Sequence, residues 1–275
     1  MKKSFKMALI LGISFFIFVF SVNSLWAPNF TEKKAIMMMF GNYNDTNKTA
    51  IWKNMSIPEK SNDSYFSKKI GIVSTAFFQS YKENGKTKFF LLTKTIPIDI
   101  PFECHACRPL LSGAVFSRTR NAWKIESQQL FLGYDGEYGI VPDAKLIQIG
   151  DDRFGLMLEF KYVNPEMTDV EREFLVPYKN DIINAYQETV YSDNFNRCGR
   201  FIQCTTYSAK IDFDKSNKEN FYRLKVSKFG TDNDPGQDNR AVPVDEETSY
   251  QFREGKYIQI SRTGTPVIRY DDSLN

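Results

Sequence analysis

The side chains in this chain that could do chemistry are few, and they begin with sulfur. Four cysteines stand in two close pairs, Cys104 with Cys107 and Cys198 with Cys204, and His105 is the single histidine. A Cys-x-x-Cys segment can serve as a redox dithiol, best at a helix N-terminus where the dipole lowers the thiol pKa. Here Arg108-Pro109-Leu110-Leu111 follows and runs into Ser112-Gly113-Ala114-Val115-Phe116, a strand-like continuation with no βαβ pattern around it. Two cysteine pairs and His105 could also ligate zinc, although thiols in an oxidising compartment pair with each other instead. Covalent haem attachment needs a histidine directly after the second cysteine, and Arg108 stands there. Disulfides are therefore expected at all four cysteines. Three pairings are open: local bridges are simplest, whereas a bridge between the two regions would close a loop of roughly 90–100 residues and constrain the unfolded chain more.

Any Ser-His-Asp or Cys-His arrangement would have to use His105, wedged between two cysteines. Ser112 in Leu-Leu-Ser-Gly-Ala is not a nucleophile elbow, and neither a phosphate-binding glycine loop nor a His-Glu-x-x-His segment is present. Carboxylates remain. In the run Gly133-Tyr134-Asp135-Gly136-Glu137-Tyr138-Gly139, Asp135 and Glu137 could flank a glycosidic bond, with Tyr134 and Tyr138 lining a sugar site. The plainer reading is an Asp-Gly hairpin turn between Phe131 and Ile140. Asp151-Asp152 after Gly150 reads as another turn. Asp232, Asp234 and Asp238 alternate as calcium ligands can, but the loop lacks the spacing and the final glutamate of an EF-hand, so an acidic surface loop is the default. No cofactor is implied.

These residues must be held by a fold, and the pattern is mainly β. Residues 31–40 read as one short helix, capped by Thr31, with Glu32 at its positive end, Gly41 after it, and Ile36, Met39 and Phe40 on one face. Residues 41–64 read as a polar loop around an isolated Trp52. Strands are expected from 68 onward, first 69–81 and 87–98, joined by Asn84-Gly85, a strong hairpin signal. Phe89 to Leu92 is wholly apolar, as in a strand buried on both faces. Further strands are expected at 112–117, 122–133, 144–149, 154–163, 171–177, 184–191, 200–213, 220–229, 256–261 and 265–270. Tyr207, Ala209, Ile211 and Phe213 alternate with polar residues, and Tyr222, Leu224 and Val226 repeat the pattern, which suits antiparallel strands with one wet face. Residues 230–255 read as a long polar excursion. The expected architecture is an antiparallel sandwich, a barrel or a partial propeller-like array of sheets with the one N-terminal helix.

The N-terminus adds an address. Lys2, Lys3 and Lys6 precede the weakly polar or apolar run Met7–Val22, and small residues follow at Ser24 and Ala27, the layout of a secretory signal peptide over residues 1–27. An uncleaved anchor is the alternative, since the run approaches the length that spans a bilayer. Residues 28–275 then form one extracytoplasmic domain. The full chain carries 36 basic and 33 acidic residues. Without the three leader lysines the balance is 33 against 33, so the basic footprint of a nucleic-acid binder is missing. Residues 68–94 hold six lysines and one glutamate, and 231–255 hold seven acids and two arginines, which read as solvated faces.

The segment Cys104-His105-Ala106-Cys107-Arg108-Pro109 through Phe116, with Trp123, Gly133 to Gly139 and Ile147-Gln148-Ile149-Gly150, resembles uncharacterised exported proteins of Gram-negative bacteria over roughly residues 100–160. That resemblance implies a periplasmic or secreted location and no activity. The expectation is a non-catalytic binding protein that recognises an envelope or secreted protein, of inhibitor or immunity type. The alternative is an envelope enzyme acting on glycan through Asp135 and Glu137, or on thiols through Cys104 and Cys107.

Overall fold

The computed structural model describes residues 29–53, 55, 69–98, 108–136, 139–199, 203–216, 219–234 and 240–265. They form one helix and two antiparallel sheets, and the chain lays its strands down in sequence order. The first sheet runs β1 (Thr49–Lys53), β2 (Ile70–Glu83), β3 (Lys86–Pro97), β4 (Leu110–Arg118) and β5 (Trp123–Tyr134). The second runs β6 (Asp143–Gly150), β7 (Arg153–Val163), β8 (Thr168–Tyr178), β9 (Asp181–Asp193), β10 (Thr206–Asp214), β11 (Arg223–Asp234), β12 (Arg240–Arg253) and β13 (Lys256–Thr265), and curls like half a barrel. Within each sheet every neighbour is the next strand in sequence, so both sheets are antiparallel meanders.

The helix α1 (Glu32–Phe40) begins as its sequence dictates. The Thr31 side chain accepts from the Lys34 amide at 3.3 Å, and the Gly41 amide donates to the Met37 carbonyl at 2.9 Å. Its buried residues Ala35 and Ile36 join Phe30, Leu91, Ala114 and Phe116 on the outer face of the first sheet. The Asn84-Gly85 hairpin between β2 and β3 forms, with both residues at positive φ (50° and 70°) as a tight twisted turn requires. In β3, Leu91 faces the helix side while Phe90 and Leu92 face the second sheet, which is why the run Phe89–Leu92 tolerates no polar residue. Leu111 and Val115 from β4 meet Leu156, Leu158 and Phe160 from β7 and Leu175 from β8 across the sheet interface. The opposite face of the second sheet holds Phe174, Val176, Leu224, Val226 and Tyr257, enclosed by the curl of its own strands.

Several sequence expectations change. Residues 230–255 are not an excursion: β11 continues to Asp234 and β12 fills Arg240–Arg253, paired from Leu224↔Tyr250 to Asp234↔Arg240. Their polar composition hides a strand because β12 faces solvent on one side and a polar interior on the other. Trp52 is not isolated in a loop; it lies in β1, which pairs with β2, and packs on Phe40 with ring centres 5.5 Å apart. The strand expected at 200–213 starts at Thr206. Most of the strand expected at 265–270 and most of the loop after Lys53 lie outside the described residues, as does the leader. Among the described residues no helix is long and apolar enough to cross a membrane.

The charged segments are not simply solvated. Lys88 and Glu246, one from each, are buried. Lys88 lies between Glu83 and Glu126. Glu246 accepts from Arg262 at 3.0 Å and from the Thr248 hydroxyl at 2.6 Å. Beside it in register is Lys228, paired with Glu188 at 2.8 Å, and the Tyr186 hydroxyl donates to the other Glu188 oxygen at 3.0 Å. The curled sheet therefore has an apolar interior at one end and a charge-paired interior at the other.

Candidate functional site

Two places gather chemistry. The first contains Tyr134 and Asp135, while Glu137 and Tyr138 lie outside the described residues. The Asp-Gly turn is not a hairpin: β5 and β6 belong to different sheets, and the segment after Tyr134 carries the chain from one to the other. Gly136 sits at φ +95°, and a Cβ there would fall 1.8 Å from the Ile140 carbonyl oxygen, so glycine is required for the crossing. The Asp135 amide donates to the Pro109 carbonyl at 3.1 Å, which anchors the segment to the start of β4.

This placement brings the Asp135 carboxyl from the first sheet toward Glu171 and Glu173 on β8 of the second. Glu171 and Glu173 alternate with Leu175, which faces the first sheet, and their register partners Phe160 and Leu158 face it too. Burial pushes the Asp135 carboxyl up to about 6; Arg108 lowers it, Glu171 raises it further, and the Tyr162 hydroxyl, 3.5 Å from Oδ1, lowers it. Burial pushes Glu173 up to about 7, aided by the charges of Asp135 and Glu171 and opposed by a hydrogen bond from Asn184. A groove of about 300 Å³ opens alongside, lined by Gly136, Ile140, Pro142, Glu159 and Tyr162. Two carboxyls raised toward neutrality can take up or release protons in the physiological range. Among the described residues no group of three or more His, Cys, Asp or Glu is arranged to hold a metal ion.

A pH dependence follows with a definite sign. Both carboxyls have folded pKa values above the ordinary range, so the stability they confer is complete below about pH 4 and is lost as pH rises through about 6 and about 7. Denaturant midpoints measured from pH 5 to pH 8 should fall, by the equivalent of roughly 2 kcal/mol after allowance for partial exposure. The isosteric double variant Asp135→Asn/Glu173→Gln should flatten that slope and be the more stable protein at pH 8. An unchanged slope would count against the cluster as its source.

The second place is at the end of the curled sheet, where the β7–β8 turn and the β9–β10 loop lie side by side. Cys198 and Cys204 form a disulfide, the local pairing, with Cα atoms 4.8 Å apart. Cys104 and Cys107 lie outside the described residues. Asn194, nearly buried, ties the base of the loop: its side chain accepts from the Thr205 amide at 2.8 Å and donates to the Gln203 carbonyl at 3.0 Å. The Gln203 side chain accepts from the Ala241 amide at 2.7 Å, fixing the loop to β12. Asn196 donates to the Asn164 carbonyl at 3.1 Å and Arg197 pairs with Glu166 at 2.9 Å, fixing it to the neighbouring turn. On this braced end Phe195 is 55% exposed, Val163 59% and Met167 37%. Comparison with known proteins gives no match: no family model, no curated protein and no solved structure corresponds to this chain.

The remaining sequence candidates separate. Asp232 and Asp234 lie in the last residues of β11, and Asp238 lies outside the described residues. Asp151 and Asp152 form the expected turn, between β6 and β7, with Asp152 at φ 54°. Sequence reasoning passed over Phe195, Met167 and Val163. A usable signal was Phe195 standing three residues before Cys198, an aromatic side chain beside a disulfide-closed loop.

Proposed function

We propose that this chain is an exported, non-catalytic binding protein that recognises another protein of the envelope or the secreted pool, of inhibitor or immunity type. The observation that carries the reading is the braced loop end. Three apolar side chains are exposed at the end of β7, in the β7–β8 turn and in the β9–β10 loop; the turn and the loop are hydrogen-bonded to each other, and the Cys198–Cys204 disulfide closes the loop. Exposed apolar side chains on a loop cost solubility, and loops on a rigid β scaffold are where recognition residues concentrate. Bracing lowers the entropy lost when the surface is covered, which favours affinity. A central aromatic such as Phe195 fits the role of an anchor residue ringed by polar contacts.

The test is comparative. A photo-crosslinking residue placed at Met167 should capture one partner from an envelope extract, and the purified partner should bind saturably. Phe195→Asp, a change at a side chain more than half exposed, should weaken that binding at least tenfold, whereas Asp135→Asn should leave it alone. Binding indifferent to Phe195→Asp, or no saturable partner, would sink the proposal.

The raised pKa of Asp135 beside a groove favours a second reading, an envelope glycan enzyme using Asp135 with Glu137. Turnover of a cell-wall glycan that is lost in Glu137→Gln and in Asp135→Asn would establish it. Absence of turnover in the unmodified protein would dismiss it.

A further inference from the structure

The inner face of the curled sheet carries a site separate from both of those above. β9 and β10 are paired over three residues only, Thr206↔Asp193, Tyr207↔Ser192 and Ser208↔Tyr191. From Ala209 onward β10 leaves β9 and lies across the inner face of β6–β8, so that Phe213 meets Phe174 with ring centres 5.5 Å apart. An open groove of about 540 Å³ runs between β10 and β6–β8, with a floor of Ile147, Met157, Phe174, Ile211 and Phe213. That volume lies within the usual range for small-molecule sites.

The rim supplies the sign of the ligand. Four charged side chains line it: Lys145, Arg172, Asp212 and Lys215. Arg172 is engaged with Glu159 at 2.7 Å, and Asp212 with Lys210 at 2.6 Å. Lys145 and Lys215 are exposed and make no ion pair among the described residues. An apolar floor with two uncommitted ammonium groups at its edge matches one class of molecule, an apolar tail ending in a single negative headgroup. The geometry points to a binding site for an anionic single-chain amphiphile of the fatty-acid type. The tail lies along β10 against Phe174 and Ile211, and the headgroup meets Lys145 and Lys215. The stretch Ala209–Asp214, about 20 Å of extended chain, is paired with β11 on one edge and parted from β9 on the other, which leaves a groove along it for a long tail. Lysine ammonium groups on flexible stems suit a small carboxylate headgroup without demanding bidentate geometry.

Titration of the purified protein with hexadecanoate, followed by calorimetry, tests this directly. Saturable one-to-one binding is expected, at least tenfold tighter than hexadecyltrimethylammonium, a cation with the same tail. The surface double variant Lys145→Glu/Lys215→Glu, which leaves the core untouched, should weaken hexadecanoate at least tenfold and reverse the preference between the two probes. Ile211→Trp, which fills the floor, should abolish both. Phe195→Asp should change neither, so this site and the loop surface succeed or fail independently. No saturable hexadecanoate binding, equal affinity for the two probes, or a double variant indistinguishable from the parent would each overturn the assignment.

Discussion

Replacing Lys228 by methionine is expected to destabilise the protein by about 3–5 kcal/mol, as removal of one member of a buried ion pair does. Lys228 and Glu188 keep only 5% and 2% of their side-chain surface in contact with solvent, and their atoms approach to 2.8 Å. With the ammonium gone, the Glu188 carboxylate keeps the Tyr186 hydroxyl but loses its compensating charge inside the curl. Methionine fills most of the lysine's volume, so the loss reports charge rather than a cavity. The double variant Lys228→Met/Glu188→Gln should recover most of it, because a buried pair replaced by neutral groups is often close to thermodynamically neutral. Urea denaturation of the three variants decides the matter. A single variant within about 1 kcal/mol of the parent, or a double variant no better than the single, would show that the pair is not a dry one.

The second large effect belongs to the layer between helix and first sheet. Phe116 is fully buried, with ring centres 5.0 Å from Phe30, which itself stacks on Trp123 at 4.5 Å. Phe116→Ala should cost about 3–5 kcal/mol, the transfer of the ring plus the cavity left behind. Because Ala35 and Ile36 of α1 pack into this cluster, the empty space should also loosen the helix, visible as faster amide exchange in residues 35–41 than in β7 or β8. Phe116→Leu should cost well under half as much. Equal losses for the two variants would argue that the site collapses freely and that the helix is held elsewhere.

The fold was partly legible because strand alternation and turn chemistry are local. Asn84-Gly85 demanded positive φ and got it; Thr31 and Gly41 bounded the helix; Phe89–Leu92 had to be buried on both sides. The failures share a cause. Residues 240–253 looked like loop because Glu246 and Thr248 occupy inward positions that an alternation rule expects to be apolar. The same rule, carried one step past Tyr222, Leu224 and Val226, would have placed Lys228 inside. That step identifies a buried lysine only if a buried acid waits opposite, and Glu188 is 40 residues away in sequence. Asp135 stood out in the sequence as a carboxyl, yet its neighbours Glu171 and Glu173 were invisible, since nothing local links the end of β5 to β8.

What the amino-acid sequence determined by itself was the class of most elements: a capped helix, many antiparallel strands, and an adjacent cysteine pair able to close its own loop. Those depend on φ/ψ preference, on two-residue periodicity and on chain distance, all readable within about ten residues. Only the tertiary structure decided that the described strands divide after β5, that the second sheet curls over its own inner face, and that Phe195, Met167 and Val163 share one edge. Curl and division arise from summed twist and from which faces bury against each other, quantities that belong to no single segment.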